Sequence, residues 1–150
     1  MILIDTNLIS EPWKPAPAAE VVAWLDAQAI ETLFISAISV AELRFGIASM
    51  PIGRRQTILR TRLEDEVLPH FVERILPFTL STSQFYSELM AGARASGRAI
   101  GMADGLIAAI AAERGLVVAT RDTSPFKAAG LKVINPWNGR KRQAEAVQAP

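Results

Sequence analysis

The sequence predicts an α/β fold around a mostly parallel sheet of about five strands, and three observations carry that prediction. Short apolar runs rich in β-branched residues recur along the 150-residue chain. Longer segments with helically spaced apolar residues separate them. Several runs end close to an acidic residue, and the carboxyl edge of an open parallel sheet is where such folds bind their ligands.

The first strand is expected over Ile2 to Ile4, followed directly by Asp5, which can cap a short turn at Thr6 to Ser10. Pro12, Pro15 and Pro17 then mark a loop. A helix is expected over Ala18 to Ala29, where Val21, Val22 and Leu25 share a face. Leu33 to Ser36 reads as the second strand, and Ser39-Val40-Ala41-Glu42 after it matches a capping box. Arg54 to Leu68 aligns Ile58, Leu59, Leu63 and Val67 along another helix, before a third strand over Ile75 to Phe78. Two further helices, Ser81 to Ser96 and Ala103 to Arg114, are closed by Gly97 and Gly115. Leu116 to Thr120 and Lys132 to Ile134 complete the sheet, each strand short enough to be buried centrally. With no internal repeat and no linker, residues 1–137 read as one domain and residues 138–150 as a basic, polar C-terminal tail.

Composition removes several kinds of chemistry. Without Cys there is no disulfide framework, thiolate nucleophile or Cys-ligated zinc, and one His cannot supply the paired imidazoles of a metal-free ribonuclease. The formal net charge of +1 also conceals an uneven distribution: without the last thirteen residues the chain carries 13 basic and 14 acidic residues. Its body is therefore no general polyanion-binding surface. The N-terminus does not match a signal peptide, and no apolar run reaches the ~18 residues of a membrane span, so a cytoplasmic protein without membrane attachment is expected.

Four acids fall near predicted strand ends. Asp5 follows the first strand, Glu42 lies one turn into the segment after the second, Asp104 opens a helix, and Asp122 comes two residues after Thr120. Each has a local structural explanation: caps for Asp5 and Asp104, the capping box for Glu42, a turn for Asp122. Their convergence at one edge has no such explanation, because four neighbouring carboxylates repel one another and pay for desolvation unless cations neutralise them. Oxygen ligands of this kind suit Mg²⁺ or Mn²⁺.

Ile4-Asp5-Thr6-Asn7, Ser39-Val40-Ala41-Glu42-Leu43, Ala103-Asp104-Gly105-Leu106-Ile107-Ala108-Ala109 and Ala119-Thr120-Arg121-Asp122 stand in the order and spacing of the PIN domain. Over residues 1–137 the chain resembles VapC toxins of that family, and more narrowly their FitB-like members; Asn135-Pro136-Trp137 resembles the end of the last strand in such toxins. The resemblance implies a Rossmann-like sheet and a metal-dependent endoribonuclease of a type II toxin-antitoxin module. Its acidic pattern falls on Asp5, Glu42, Asp104 and Asp122 as metal ligands and catalytic residues, and its hydroxyl position on Thr120, which would orient an acid or a water. Thr6 and Asn7 would help hold the first acid. Many relatives carry an Asp after the Pro-Phe of the third strand, where this chain has Thr79, so Thr79 is left outside the expected site.

The implied chemistry is hydrolysis of RNA phosphodiesters by metal-activated water, leaving a 5′-phosphate and a 3′-hydroxyl. Asp5 and Asp104 are the expected main ligands. Asp122 would share a metal directly or through water, and Glu42 would ligate through water or help deprotonate the nucleophile. With the four acids neutralised by metal, the body carries 13 basic residues against ten other acids, so metal loading should precede tight RNA binding. Arg44, Arg54, Arg55, Arg94, Arg98 and Arg121 are candidate phosphate contacts, each with a solvated helix face as the alternative. The Arg140-Lys141-Arg142 tail would bind nucleic acid or simply aid solubility.

The resemblance also implies partners: a VapB-like antitoxin, a second copy of the toxin, and operator DNA reached only through the antitoxin complex. Among the aromatics, Trp24 and Phe45 read as core or interface, and Trp13 as a loop residue beside a partner groove. His70 reads as structural. Two other α/β readings fail at their defining positions. A phosphoacceptor receiver needs an Asp after the third strand and a Lys after the fifth, where Phe78-Thr79 and Asn135-Pro136 stand; a dinucleotide-binding module needs a Gly-rich loop where Asp5-Thr6-Asn7 stands. A catalytically weak PIN protein acting mainly with its antitoxin on operator DNA remains the alternative function.

Overall fold

The computed structural model describes residues 1–139, which leaves the Arg140-Lys141-Arg142 segment outside the described residues. Five parallel strands form one sheet in the order β3-β2-β1-β4-β5: β1 (Ile2–Ile4), β2 (Leu33–Ser36), β3 (Ile75–Leu76), β4 (Val117–Ala119) and β5 (Val133–Ile134). The chain builds outward from β1 through β2 to β3, then crosses back to lay β4 on the other side of β1. The strand order thus reverses at the β1/β4 pair, the position at which open α/β sheets form a ligand crevice.

Among the described residues seven α-helices accompany the sheet: α1 (Thr6–Ser10), α2 (Ala19–Asp26), α3 (Ala37–Ala48), α4 (Arg54–Thr61), α5 (Leu80–Ala95), α6 (Met102–Arg114) and α7 (Ser124–Ala128). Among the described residues no helix is long and apolar enough to cross a membrane.

Alternation along the strands divides the core in two. Ile4 and Ala119 pack on one side with Leu8, Val21, Ile35, Leu43, Leu63 and Phe71. Leu3 and Val118 pack on the other with Ile107, Ile110, Leu116 and Phe126. The second cluster rests on α6, where Gly105 and Ile107 through Ala111 are all buried. Small residues on this helix admit close neighbours: a Cβ at Gly105 would lie 2.7 Å from Met90 Sδ of α5. Gly115 ends α6 in the left-handed conformation, φ 63°, at which a side chain would be strained.

Several local expectations are corrected. Ser39 is not the cap of α3; the cap is Ser36, whose Oγ accepts from Ser39 N at 2.9 Å and donates to Ser39 Oγ at 3.0 Å. Glu42 is therefore released from the capping-box role. The helix expected over Arg54 to Leu68 is regular only to Thr61, then widens into a π-helical stretch over Arg62–Val67 ahead of a 3₁₀ turn at Leu68–Phe71. Pro69, which has no N–H to donate to a carbonyl one turn back, sits at the start of that 3₁₀ turn, where the α-helical ladder cannot continue. Ile58 is exposed while Leu59, Leu63 and Val67 reach the core. Phe45 is not core either: it is 75% exposed. The third strand is two residues long, and α7, one turn opened by Ser124-Pro125, had too short a pattern to show periodicity.

Candidate active site

Asp5 stands at the centre of the carboxyl edge. Its residue is 7% exposed, and its two carboxylate oxygens have separate donors: Oδ1 accepts from Thr6 N at 2.8 Å, while Oδ2 accepts from the Thr120 hydroxyl at 2.8 Å. The geometry follows from register. Ile4 is paired with Ala119, so the next residue of each parallel strand, Asp5 and Thr120, emerges side by side. Asp5 N also donates to Ala119 O at 3.0 Å, and Thr120 N to Ile134 O at 3.0 Å, so the backbone beneath both side chains is tied into the sheet.

Burial pushes the Asp5 carboxyl above the ordinary aspartate value of 3.8. The hydrogen bonds from Thr120 and Thr6 oppose that rise, and the charge of Asp122 adds to it. Asp104, in the first turn of α6, is half-buried and is also raised. Burial leads, the charges of Asp5 and Asp122 follow, and no hydrogen bond offsets them. Glu42, on α3, is raised by shielding of its carboxyl group; the Thr6 hydroxyl works against this, and the charges of Asp5 and Asp104 work with it. The four acids form one mutually repelling electrostatic group.

In the Asp5-Thr6-Asn7 run, Thr6 helps hold the first acid as expected, though through its backbone, and Asn7 does not. Only the Thr6 backbone serves Asp5; its hydroxyl donates to Glu42 Oε1 at 3.0 Å, linking α1 to α3. Asn7 Oδ1 accepts from Arg121 N at 3.4 Å and so holds the loop after β4 instead of the acid. Thr120 orients an acid, as one of its two expected roles had it. Asp122 is exposed, and its Oδ1 accepts from Ser124 N at 3.3 Å, so the turn explanation accounts for part of that side chain.

The donor set is chemically suited to a hard divalent ion. It is entirely carboxylate, and among the described residues none of the four acids has a Lys or Arg ion-pair partner. Spacing is the reservation: among the described residues no three acidic or imidazole groups stand close enough to encircle an ion. Ligation by more than two of them therefore requires side-chain rotation, which exposed Glu42 and Asp122 can supply.

Of the arginines considered for phosphate contact, two are already engaged. Arg44 forms a fork onto Glu64, Nε to Oε1 at 2.7 Å and Nη2 to Oε2 at 2.9 Å, and Arg121 lies over the Trp137 ring with its Cζ 5.8 Å from the centroid. His70 sits in the 3₁₀ turn before β3, where its carbonyl accepts from Arg74. Thr79 is explained structurally: it caps α5 in a reciprocal pair with Thr82.

One structural acid escaped sequence reasoning. Glu11 is 3% exposed, accepts from Ala18 N at 2.9 Å and Lys14 Nζ at 2.5 Å, and thereby fixes the proline-rich loop. An acid embedded among Pro12, Pro15 and Pro17 was the only available signal.

Residues 2–131 match the family model described as PIN domain. The chain is 62% identical over 137 residues to the VapC ribonuclease Y4jK of Sinorhizobium fredii, covering 91% of this chain and 98% of that protein. It is 49% identical over 138 residues to the toxin FitB of Neisseria gonorrhoeae, covering 92% and 99%. The solved structure of FitAB bound to an IR36 DNA fragment is similar at a TM-score of 0.89 and 47% identity, over 91% of this chain and 96% of that one.

Proposed function

The chain belongs to the PIN domain family as a VapC-type toxin, and on that premise we propose that it is a Mg²⁺- or Mn²⁺-dependent endoribonuclease hydrolysing RNA phosphodiesters. The observation that carries this reading is the state of Asp5. A buried carboxylate held by Thr120 and Thr6, raised by burial and by Asp122, and without a basic partner is costly to a fold that has no cation to place there.

A divalent ion, when bound, supplies positive charge that stabilises the transition state's phosphoryl oxygens and allows water to attack at neutral pH. Asp5 and Asp104 are the residues proposed to hold it, with Asp122 and Glu42 completing the set by rotation. Thr120 fixes the direction of Asp5 through its 2.8 Å hydrogen bond, so the central acid is oriented in advance, whereas Glu42 gives up its hydrogen bond from the Thr6 hydroxyl in rotating toward the ion. Glu42, exposed and with its carboxyl raised, is the residue proposed to take a proton from the attacking water or to ligate through water.

Mapping new 5′-phosphate RNA ends after brief expression tests the proposal, with Asp104→Asn as the comparison. A discrete set of ends made by the wild type and absent from the variant supports it. No new ends from soluble, antitoxin-free wild type overturns it.

A second reading is that of a weak catalyst working with an antitoxin on operator DNA. The absence, among the described residues, of three acids at ligand spacing favours it, as does the DNA-bound state of the similar FitAB complex. Under the first reading too, the proposed partners are a VapB-like antitoxin and a second toxin copy, with DNA reached through the antitoxin.

A further inference from the structure

We propose that the groove between the Trp13 loop and α4 holds RNA phosphates away from the scissile bond, a backbone-positioning site that rests on the RNA substrate proposed above. The groove, about 550 Å³, is lined by Trp13, Lys14, Arg54, Arg55, Ile58 and Arg62, with no acid on its wall. Arg44 is paired with Glu64, while the other described arginines form no ion pair; this wall is set apart by gathering three of them with no acid among its lining residues. Here only Lys14 is paired, to Glu11, whereas Arg54, Arg55 and Arg62 form no ion pair among the described residues.

Three uncompensated guanidinium groups on one wall raise the local potential of a body that is otherwise slightly acidic. Their backbone interval is compatible with contacts along a polyanion. Arg54 and Arg62 are separated by eight residues, about 12 Å at the helical rise, or roughly three phosphate steps at ~3.4 Å along a stacked strand. Trp13, half-buried against the core, still lines the groove with part of an aromatic ring, the kind of surface on which bases or guanidinium planes stack. Its position is fixed from within, because Glu11 binds both Lys14 and the Ala18 amide.

The groove is also in range of the carboxylates. Asp5 caps α1, which runs without a break into the 3₁₀ turn Glu11–Trp13. That rod sets Trp13 about 12 Å or a little more from Asp5. A strand whose scissile phosphate lies at Asp5 would bring a phosphate three or four nucleotides away to the Trp13 end of the groove. Such contacts position a substrate without reading its sequence.

The test compares wild type with Arg54→Gln/Arg55→Gln and the charge-reversed Arg54→Glu/Arg55→Glu. Both residues are exposed, and circular dichroism melts check that the fold is kept. Binding to a labelled, mixed-sequence 20-nucleotide RNA is measured across a salt series, together with cleavage kinetics on the RNA identified by end mapping. The expected result is about a tenfold or larger rise in Kd and KM for the glutamine pair, more for the glutamate pair, with kcat within about twofold. The salt slope should fall by about 1.4, the equivalent of two single-strand phosphate contacts. A tetranucleotide across the cleavage site should be cut equally by all three proteins. Wild-type cleavage with Kd, KM and salt slope unchanged in both variants overturns the groove while leaving the nuclease reading intact. Lost antitoxin capture with unchanged RNA binding also overturns it, in favour of an acidic protein segment. Wild type that neither binds nor cuts RNA overturns both readings.

Discussion

The Thr120 hydroxyl donates to Asp5 Oδ2 at 2.8 Å, joining two buried side chains 115 residues apart in sequence. The bond crosses the β1/β4 pair at the point where strand order reverses, so it couples the direction of the central acid to the register of the sheet. A misdirected carboxylate there would hold a cation at the wrong angle.

Thr120→Val keeps the shape and removes the donor. Cleavage should fall about 10- to 100-fold, the usual cost of losing a group that orients a metal ligand. Thr120→Ser, retaining the hydroxyl, should recover most of that loss. Equal activity in both variants, measured on one RNA at saturating Mg²⁺, would show that packing alone had been altered.

Asp104→Asn removes one charge from the repelling group while leaving the helix start intact. In EDTA the variant should melt about 2 °C higher than wild type, corresponding to somewhat under 1 kcal/mol for a chain of this length. Millimolar Mg²⁺ or Mn²⁺ should raise the wild-type melting temperature and leave the variant nearly unmoved. Cleavage should drop by at least about 100-fold, beyond the outer-shell range. A variant that is less stable in EDTA and responds to metal like wild type would return Asp104 to a helix-end role.

Glu11 should contribute stability rather than turnover. Its carboxyl is held below the ordinary glutamate value of 4.5, chiefly by Lys14 and then by the Ala18 amide. A depressed carboxyl stabilises the fold fully above its unfolded value and loses that contribution as pH falls through the folded one. Glu11→Ala should therefore cost about 2 kcal/mol at neutral pH and less at pH 3, with Glu11→Gln intermediate. Chemical denaturation at the two pH values reads this directly; a pH-independent cost would remove the ionised carboxylate from the account.

Thr79→Ala should lower stability by about 1 kcal/mol through loss of the α5 cap, while cleavage stays within about twofold of wild type. The resemblance placed an acid at this position in many relatives. A large fall in turnover at full stability would restore Thr79 to the site.

Much of the fold was legible because it is local. Five apolar runs gave five strands, and the Gly97 and Gly115 signals marked real helix ends at φ 70° and 63°. The errors arose where neighbours outweighed local pattern. Ser36, still within β2, took the cap expected of Ser39, and Phe45 stayed exposed on α3 because its face is turned from the sheet.

Asp5 and Asp122 could be chosen from their positions after strands, and Glu42 and Asp104 from their places within the first two turns of helices, together with the motifs around them. Their partners could not. Thr6 binding Glu42, Asn7 binding the Arg121 amide and Thr120 binding Asp5 depend on which strands are adjacent and in what register. The sequence by itself determined the α/β class, the order of the elements and the candidate carboxylates, because periodicity and polarity act over one or two turns of chain. Only the tertiary structure decided which acid is buried, which hydroxyl directs it and which arginines are left unpaired, because hydrogen bonds and desolvation depend on groups brought together in space from distant parts of the chain.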